Sequence, residues 1–456
     1  MEVGIRVFNL LSSYELLRCG LCEDDPMHTV IAELAFCHGE HIWANLETSA
    51  RLQENNHYIA DLLGLAAVVA AYPNLPKARK WGEYTHNELM RCVRKQVLDD
   101  GCCFERSTRY TRLMGEMLFF AGKCFAETPY KLPAEYFERL SILGRFLDAV
   151  TNKDGRSLQV GDNDSGRVVC ISPERYDDLR LVSRLVDREI GPDAPDEAFF
   201  AEEELFYGAS GRVACFPSWR GGARTFYDAG MALARYGDWS LGFFASDGFV
   251  DESEPGHTHN DKLSFTLGFK GVPFFVDPGS GVYTRDPKVR NILRGTAQHS
   301  TLRFGNLEQN EFRGLFGYTR CGGASLDVAE ADGTVVFRGA TDCWATRLGV
   351  THKRVVEVGS EGVAVKDDVE GAAPAVAATR SFVLAPEVDV SVVGRKEAVL
   401  TCRGVSVVFC AESDISVREG LYSPHYGAVI KSSILDVPFE YGRTNVITVR
   451  EILNED

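Results

Sequence analysis

Apolar residues in the first two hundred positions recur three and four apart, over 29–43, 59–71, 84–97, 113–125 and 136–150. That spacing puts them on one face of a helix. Pro73, Pro76, Gly101, Pro129, Pro133 and Gly155 fall in the gaps, where such residues end helices. Several helices joined by short links predict an all-α unit of antiparallel neighbours rather than a parallel α/β domain. The Gly-Pro-Asp-Ala-Pro-Asp stretch at 191–196 reads as a linker.

After Phe206 the period changes from about three and a half to two. Short alternating runs rich in Val and Thr occupy 213–216, 231–236, 240–244, 263–269, 272–276, 334–338, 350–358, 363–369, 376–383, 399–408, 428–431 and 445–449, with Gly and Asp between them. A large antiparallel β-sandwich needs this pattern. The expectation is a multidomain chain, α then β, with a helical domain over 1–198 and a β-sandwich domain over 199–456. No tandem repeat or low-complexity tract interrupts either half.

At 456 residues, 45% hydrophobic and 25% charged, the chain can bury two sizeable cores. Its net charge of −16 excludes general nucleic-acid binding, which needs a basic footprint. A polyanionic ligand would be repelled at long range and would need a locally basic cleft, because salt screens distant charge beyond about 8–10 Å. No apolar run reaches the roughly 18 residues of a membrane span. Thirteen cysteines without metal-finger spacing read as mostly reduced thiols. With no secretory signal at the start, these predict a cytoplasmic chain or one that begins at an internal Met of a longer protein.

The densest chemistry lies between 256 and 303. His257 and His259 stand one residue apart, ahead of the alternating run at 263–269. A turn at Lys270-Gly271 starts a hairpin that returns Asp277 toward His259, and His299 precedes another short run. Were the first segment extended, both imidazoles would share a face. Two His and an Asp at strand ends are zinc-type donors, and a second His beside them is free for proton transfer. Separate, hydrogen-bonded histidines explain the same residues.

In the helical half, Asn56 sits where a helix N-cap belongs, before the run at 59–71, with His57 on the first turn. Further on stands Asp99-Asp100-Gly101-Cys102-Cys103-Phe104-Glu105-Arg106-Ser107-Thr108-Arg109-Tyr110. With a helix starting near Ser107, Arg106 lies one turn before Tyr110, and Arg109 and Arg112 flank it; a guanidinium there would favour the phenolate. A tyrosine packed under a solvated Arg-rich face is the plainer account.

Three blocks carry a resemblance. Gly-His-x-His-x-Asp-x-Leu-Ser-Phe at 256–265, Gly-x-Pro-x-x-Val-Asp-Pro-Gly at 271–279 and Arg-x-Thr-x-x-His-x-Thr at 294–301 are similar to the heparinase II/III-like family of polysaccharide lyases. The resemblance implies an N-terminal incomplete α/α-toroid followed by a C-terminal antiparallel β-sandwich. It implies His257 as a catalytic base and His259, Asp277 and His299 as ligands of one structural zinc ion that fixes the loop carrying His257. The Asn-His pair at Asn56 and His57 matches the family's carboxylate-binding pair. Asp-Gly…Glu-x-Ser-x-x-Tyr matches at Asp100 to Tyr110, making Tyr110 catalytic with Glu105 and Ser107 in support. Adjacent Cys102 and Cys103 depart from the expected Gly or polar residues. Arg106, Arg109 and Arg294 are candidate substrate contacts; Arg294 equally suits a pairing with an Asp. The acidic, Gly-rich loop at 161–167 resembles a stretch common in the family and lacks a calcium-loop register, so it is expected to be structural or to line a subsite.

The reaction so implied is β-elimination on a uronic-acid-containing acidic polysaccharide or oligosaccharide. A group must counter the uronate's charge as the C5 proton leaves, a base must take that proton, and an acid must meet the departing oxygen. Tyr110 and His257 must therefore reach a single sugar. A zinc-dependent hydrolase and a non-catalytic glycan-binding protein of capsule or exopolysaccharide assembly are the alternatives. Which uronan is cut, endo or exo mode, and the oligomeric state, a homodimer among the options, are left open.

Overall fold

The computed structural model describes residues 1–48, 55–152, 155–170, 178–187, 190–191, 216–217, 219, 221–246, 256–319 and 322–452. The chain divides into two compact units. One holds Met1–Glu105, Tyr110–Ser157 and Gly166–Ser218; the other holds Arg106–Arg109, Leu158–Ser165 and Trp219–Asp456. Two short pieces of the helical stretch thus belong to the β unit, which no periodicity could reveal. The expected boundary at 198, and most of the expected linker, lie outside the described residues.

Six long helices make up most of the described part of the first unit: α1 (Glu2–Leu17), α2 (Pro26–Ala44), α3 (Asn56–Ala71), α4 (Ala78–Gln96), α5 (Thr108–Phe125) and α6 (Ala134–Ala149). The last five coincide with the apolar runs and begin two to six residues before them; side chains cap α2 and α3. Asp25 accepts from the Met27 amide, with Pro26 in the first turn of α2. That side-chain acceptor and a fixed φ satisfy the helix's orphan amides. α1 escaped the pattern because it buries only Gly4, Val7, Phe8 and Leu11. α3 is buried on nearly every face, as an inner helix should be. α1 and α3 touch backbone to backbone: a Cβ on Gly64 would lie 2.6 Å from the Gly4 Cα. Any side chain there would force the helices apart. No described helix is long and apolar enough to cross a membrane.

Among the described residues the β unit contains three larger antiparallel sheets, besides the two-stranded hairpin of Phe312–Arg313 with Gly317–Tyr318. Five strands run Gly222–Phe226, Met231–Tyr236, Trp239–Phe244, Ser264–Phe269 and Val272–Phe275 in spatial order. A four-stranded sheet is ordered Ser416–Tyr422, Ile430–Pro438, Ala378–Val383, Leu302–Phe304. An eight-stranded sheet is ordered Ala324–Ala331, Thr334–Thr341, Thr351–Gly359, Gly362–Glu370, Asn445–Glu451, Val405–Ala411, Glu397–Cys402, Asp389–Val392. One apolar core joins all three. Phe243 and Phe337 stack at 6.0 Å, Phe265 and Phe382 meet edge-on at 6.1 Å, and Phe275 lies 6.2 Å from Phe409.

The run read as one strand over 399–408 is two, Glu397–Cys402 and Val405–Ala411, paired as a hairpin. Arg403 at φ +50 and Gly404 at φ +78 form its turn, without the Asn-Gly or Asp-Gly signal that marks such turns in sequence. Strands Ala324–Ala331 and Ser416–Tyr422 are not among the runs above; both are edge strands exposed along much of their length, although Ala324, Leu326 and Val328 of the first alternate with polar Ser325 and Asp327 and pack against the core. The run at 213–216 lies outside the described residues except for Phe216.

Candidate active site

In the β unit the hairpin of Ser264–Phe269 with Val272–Phe275 forms as expected, closed by Lys270 and Gly271 in left-handed conformations. It brings Asp277 back beside His259. His299 follows the short 3₁₀ turn Thr296–Gln298. One ligand atom from each of His259, Asp277 and His299 lies within 4.8 Å of the others, and all three residues are buried. His259 Nδ1 is 3.3 Å from His299 Nε2, which is 3.4 Å from Asp277 Oδ2.

The surrounding hydrogen bonds settle which atoms these are chemically. His299 donates from Nδ1 to the Gly295 carbonyl at 2.9 Å, and His259 donates from Nε2 to Asp162 Oδ1 at 2.9 Å. In the neutral rings, His299 Nε2 and His259 Nδ1 therefore both carry lone pairs. Asp277 Oδ1 accepts from the Gly279 amide at 2.8 Å, while Oδ2 is buried without a hydrogen-bond partner. Three electron-pair donors face one point, an arrangement that calls for a cation. The donor set fits zinc. Burial works against charge on His299, but neighbouring Asp277 raises its pKa overall.

The His257–His259 segment is a turn rather than a strand, so the shared-face expectation is replaced by a different convergence. Both imidazoles reach the same carboxylate through different nitrogens: His257 donates from Nδ1 to Asp162 Oδ2 at 2.9 Å, and His259 binds Oδ1. The Arg290 guanidinium grips both Asp162 oxygens, Nη2 to Oδ2 at 2.6 Å and Nη1 to Oδ1. Burial alone would raise the Asp162 pKa; Arg290 and then the two histidines reverse this and hold it well below the usual carboxylate range. The His257 ring sits 6.0 Å from Phe316 and 6.3 Å from Tyr283, with Arg290 over both aromatic rings.

Neighbouring polar groups pin the motif. Asn260 donates to Glu308 at 2.8 Å and to the Asn310 carbonyl at 2.9 Å, and Gln309 exchanges bonds with the Lys262 main chain at 2.8 and 2.9 Å. Beneath them Arg354, paired with Asp367, donates to the carbonyls of Leu263 and Ser300. It thereby ties together the loops that carry His259 and His299. Arg294 lies fully buried, donating to Asn291 at 2.9 Å and to the Gly314 carbonyl at 2.6 Å and resting 4.1 Å over Phe312. It anchors the 312–318 hairpin and presents no guanidinium at the surface; neither of its two expected roles, substrate contact or Asp pairing, accounts for these contacts.

In the helical unit the N-cap of α3 is Asn55, not Asn56: the Asn55 side chain accepts from the His57 amide at 3.0 Å. That frees Asn56 for other work. Its Nδ2 donates to both Glu105 oxygens at 3.0 Å, and its main-chain amide to Oε1 at 3.1 Å. Its Oδ1 is buried without a partner. His57 is more open, 43% exposed, and donates from Nδ1 to Glu47 at 2.7 Å. Tyr110 is buried in the first turn of α5. The arginines before it in sequence belong to the β unit's 106–109 segment: Arg109 is buried and Arg106 half-buried in a left-handed conformation.

Asp162, Arg290, Arg354 and Asp367 were not singled out from sequence. For Asp162 the acidic 161–167 loop was the available signal. The others stand among further charged residues, Arg354 directly after Lys353 and Asp367 between Lys366 and Asp368, and their roles depend on partners that strand register and distant loops supply.

The heparinase II/III-like C-terminal family model matches residues 220–450, and the heparinase II/III N-terminus model matches 1–147. A heparin-sulfate lyase from Pedobacter heparinus is 23% identical over 313 residues, covering 67% of this chain and 44% of that protein. A heparinase III structure superposes with a TM-score of 0.74 at 16% identity, covering 99% of this chain and 67% of that one. The crystal structure of a heparan sulfate lyase from Pedobacter heparinus gives 0.69 at 18%, covering 100% and 68%. These likenesses establish the fold, an α/α-toroid followed by a β-sandwich. The chain spans less than half the length of the curated relative it matches.

Proposed function

Since the chain belongs to the heparinase II/III-like family, we propose that it is a polysaccharide lyase cleaving uronic-acid-containing glycosaminoglycans by β-elimination. The named activities of its relatives, on heparan sulfate among others, support that substrate class. The observation that carries the reading is Asn56: a buried amide oriented by Glu105, with an oxygen that lacks a donor. A uronate carboxyl in its protonated form supplies that donor, and neutralising the carboxyl is what makes the C5 proton removable. Preorganised partners of this kind are often the largest catalytic contribution.

In this scheme Tyr110 protonates the leaving oxygen and, for one C5 stereochemistry, also takes the C5 proton. His257 is the base for the other, with His57 beside Asn56. Arg106 and Arg109 are proposed substrate contacts. His259, Asp277 and His299 would hold one structural zinc ion, which when bound gives the three lone pairs a common positive partner. The burial of all three ligands favours this over a zinc hydrolase, whose metal must keep a position open to substrate.

The test is a screen of heparan sulfate, hyaluronan, chondroitin and alginate for the ultraviolet-absorbing unsaturated uronate that elimination leaves and hydrolysis does not. Tyr110→Phe should lower turnover on the cleaved uronan by about 10²–10⁴-fold with zinc content unchanged. Near wild-type turnover in that variant would remove Tyr110 from the mechanism.

A further inference from the structure

We propose that Asp162 is a positioning residue: one carboxylate fixes the tautomers of both His257 and His259, so that the proton acceptor and the metal site are set by the same group. The catalytic half of this inference rests on the elimination reading; the metal half rests on the donor geometry alone.

An ionised carboxylate can only accept hydrogen bonds. His257 Nδ1 and His259 Nε2, each 2.9 Å from an Asp162 oxygen, must therefore be the protonated nitrogens. A neutral imidazole has one N–H, so the lone pairs fall on His257 Nε2 and His259 Nδ1. The first is the atom a base needs. The second is the atom 3.3 Å from the His299 lone pair in the ligand cluster. Each oxygen takes one imidazole, and the Arg290 fork, binding both oxygens, fixes the plane of the carboxylate.

The main chain reinforces the same assignment. The Asp162 amide donates to the His257 carbonyl at 2.9 Å. Gly161, at φ +69, lies so close that a Cβ would stand 2.6 Å from that carbonyl oxygen, so no other residue fits without displacing the loop. The Asp162 carbonyl accepts from Ser107 Oγ at 2.6 Å, and the Thr108 amide donates to the Val160 carbonyl at 3.3 Å. The loop that orients the two histidines is thus also stitched to the segment leading directly into Tyr110. An Arg–Asp pair with only a structural purpose would require neither histidine.

Asp162→Asn retains one accepting oxygen and turns an NH₂ donor toward the other histidine's N–H. On the uronan cleaved in the screen, kcat should fall about 10–100-fold with KM within about threefold of wild type, and the zinc Kd from chelator competition should weaken about 10–100-fold, the range seen when partners of metal-binding histidines are removed. His257→Ala should lose turnover and keep wild-type zinc affinity. An Asp162→Asn protein that binds zinc as tightly as wild type, or turns over at the wild-type rate, overturns the proposal. Because that variant leaves Arg290 without its counter-ion, a second measurement uses the unaltered protein. Nitrogen NMR of labelled histidines should show His257 protonated at Nδ1 and His259 at Nε2; either ring in the other tautomer overturns it. Failure of every uronan to be cleaved would sink the elimination reading, while zinc affinity and tautomers would still decide the role of Asp162.

Discussion

His57 and His259 make an instructive pair. His57, in the helical unit, is 43% exposed and answers to a single carboxylate, Glu47. His259, in the β unit, is fully buried, with Asp162 on one nitrogen and His299 and Asp277 at the other. The difference extends to their surroundings. Asn56 depends on Glu105 alone for its orientation, whereas the β-unit histidines stand in a chain running through Asp162 to Arg290 and, by way of the Leu263 and Ser300 carbonyls, to Arg354 and Asp367. Groups with one partner can adjust to a ligand. Groups buried with several partners hold one geometry, since leaving any of them unsatisfied is costly. The helical unit offers adaptable contacts, and the β unit supplies a fixed frame.

The sharpest way to break this contrast is to remove a charge from under the frame. Asp367 binds Arg354 through both oxygens, at 2.6 and 3.0 Å, and accepts from His352 at 2.8 Å, all fully buried. Asp367→Asn should cost about 3–5 kcal/mol, the usual penalty for stranding a buried charge, read as a lowered denaturation midpoint. Zinc affinity should fall with it, because Arg354 holds the loops of both histidine ligands. The pH dependence follows the same logic. Burial would raise the Asp367 pKa, but Arg354 and then His352 hold it well below its ordinary value. A depressed carboxylate pKa contributes stability that is present above about pH 3.9, the unfolded value, and is lost as pH falls toward the folded one. Wild type should show this acid limb in its stability curve, and Asp367→Asn should show it reduced. A variant as stable as wild type would mean the frame does not depend on this pair.

A smaller loss is expected in the helical unit. Asn56→Ala removes a single polar group held by a single partner, so the fold should survive while turnover drops about 10²–10³-fold, equivalent to about 2.7–4 kcal/mol of barrier. Circular dichroism and melting would check the first half, and steady-state kinetics the second. A variant that unfolds instead would place Asn56 with the frame residues and erase the distinction between the units.

The sequence conveyed the two units and most of the metal cluster for different reasons. Helix and strand periods depend on burial of one face, which neighbours in sequence report, so α2 to α6 and the central strands were readable. His257, His259, Asp277 and His299 were readable because a short hairpin and one loop carry them. Asp162 lies 95 residues before His257, and Asp367 and Arg354 lie beyond both; their pairing is decided by sheet register and by the placement of the 158–165 segment in the β unit. Asn55 and Asn56 are both good caps by type, and only the placement of Glu105 decides which of them caps. Arg294 looked like a ligand-binding arginine for the same reason: sequence gives its charge, while the rings of Phe312 and Tyr318 that cover it come from a separate hairpin.

The smallest effect should come from Glu47→Gln. Both members of the Glu47–His57 pair are 43% exposed, and exposed ion pairs contribute about 0.2–1 kcal/mol. The substitution keeps an oxygen that can accept from His57 Nδ1, so the tautomer has no strong reason to change. Turnover should fall by less than about fivefold, and the melting temperature should hardly move. The same experiment discriminates between two kinds of histidine. If His57 only assists Asn56 at the substrate carboxyl, the loose pairing suffices and the prediction holds. If kcat instead drops more than tenfold, over about 1.4 kcal/mol, His57 needs an orienting carboxylate as strictly as the geometry implies for His257. The helical unit would then contain a fixed frame of its own.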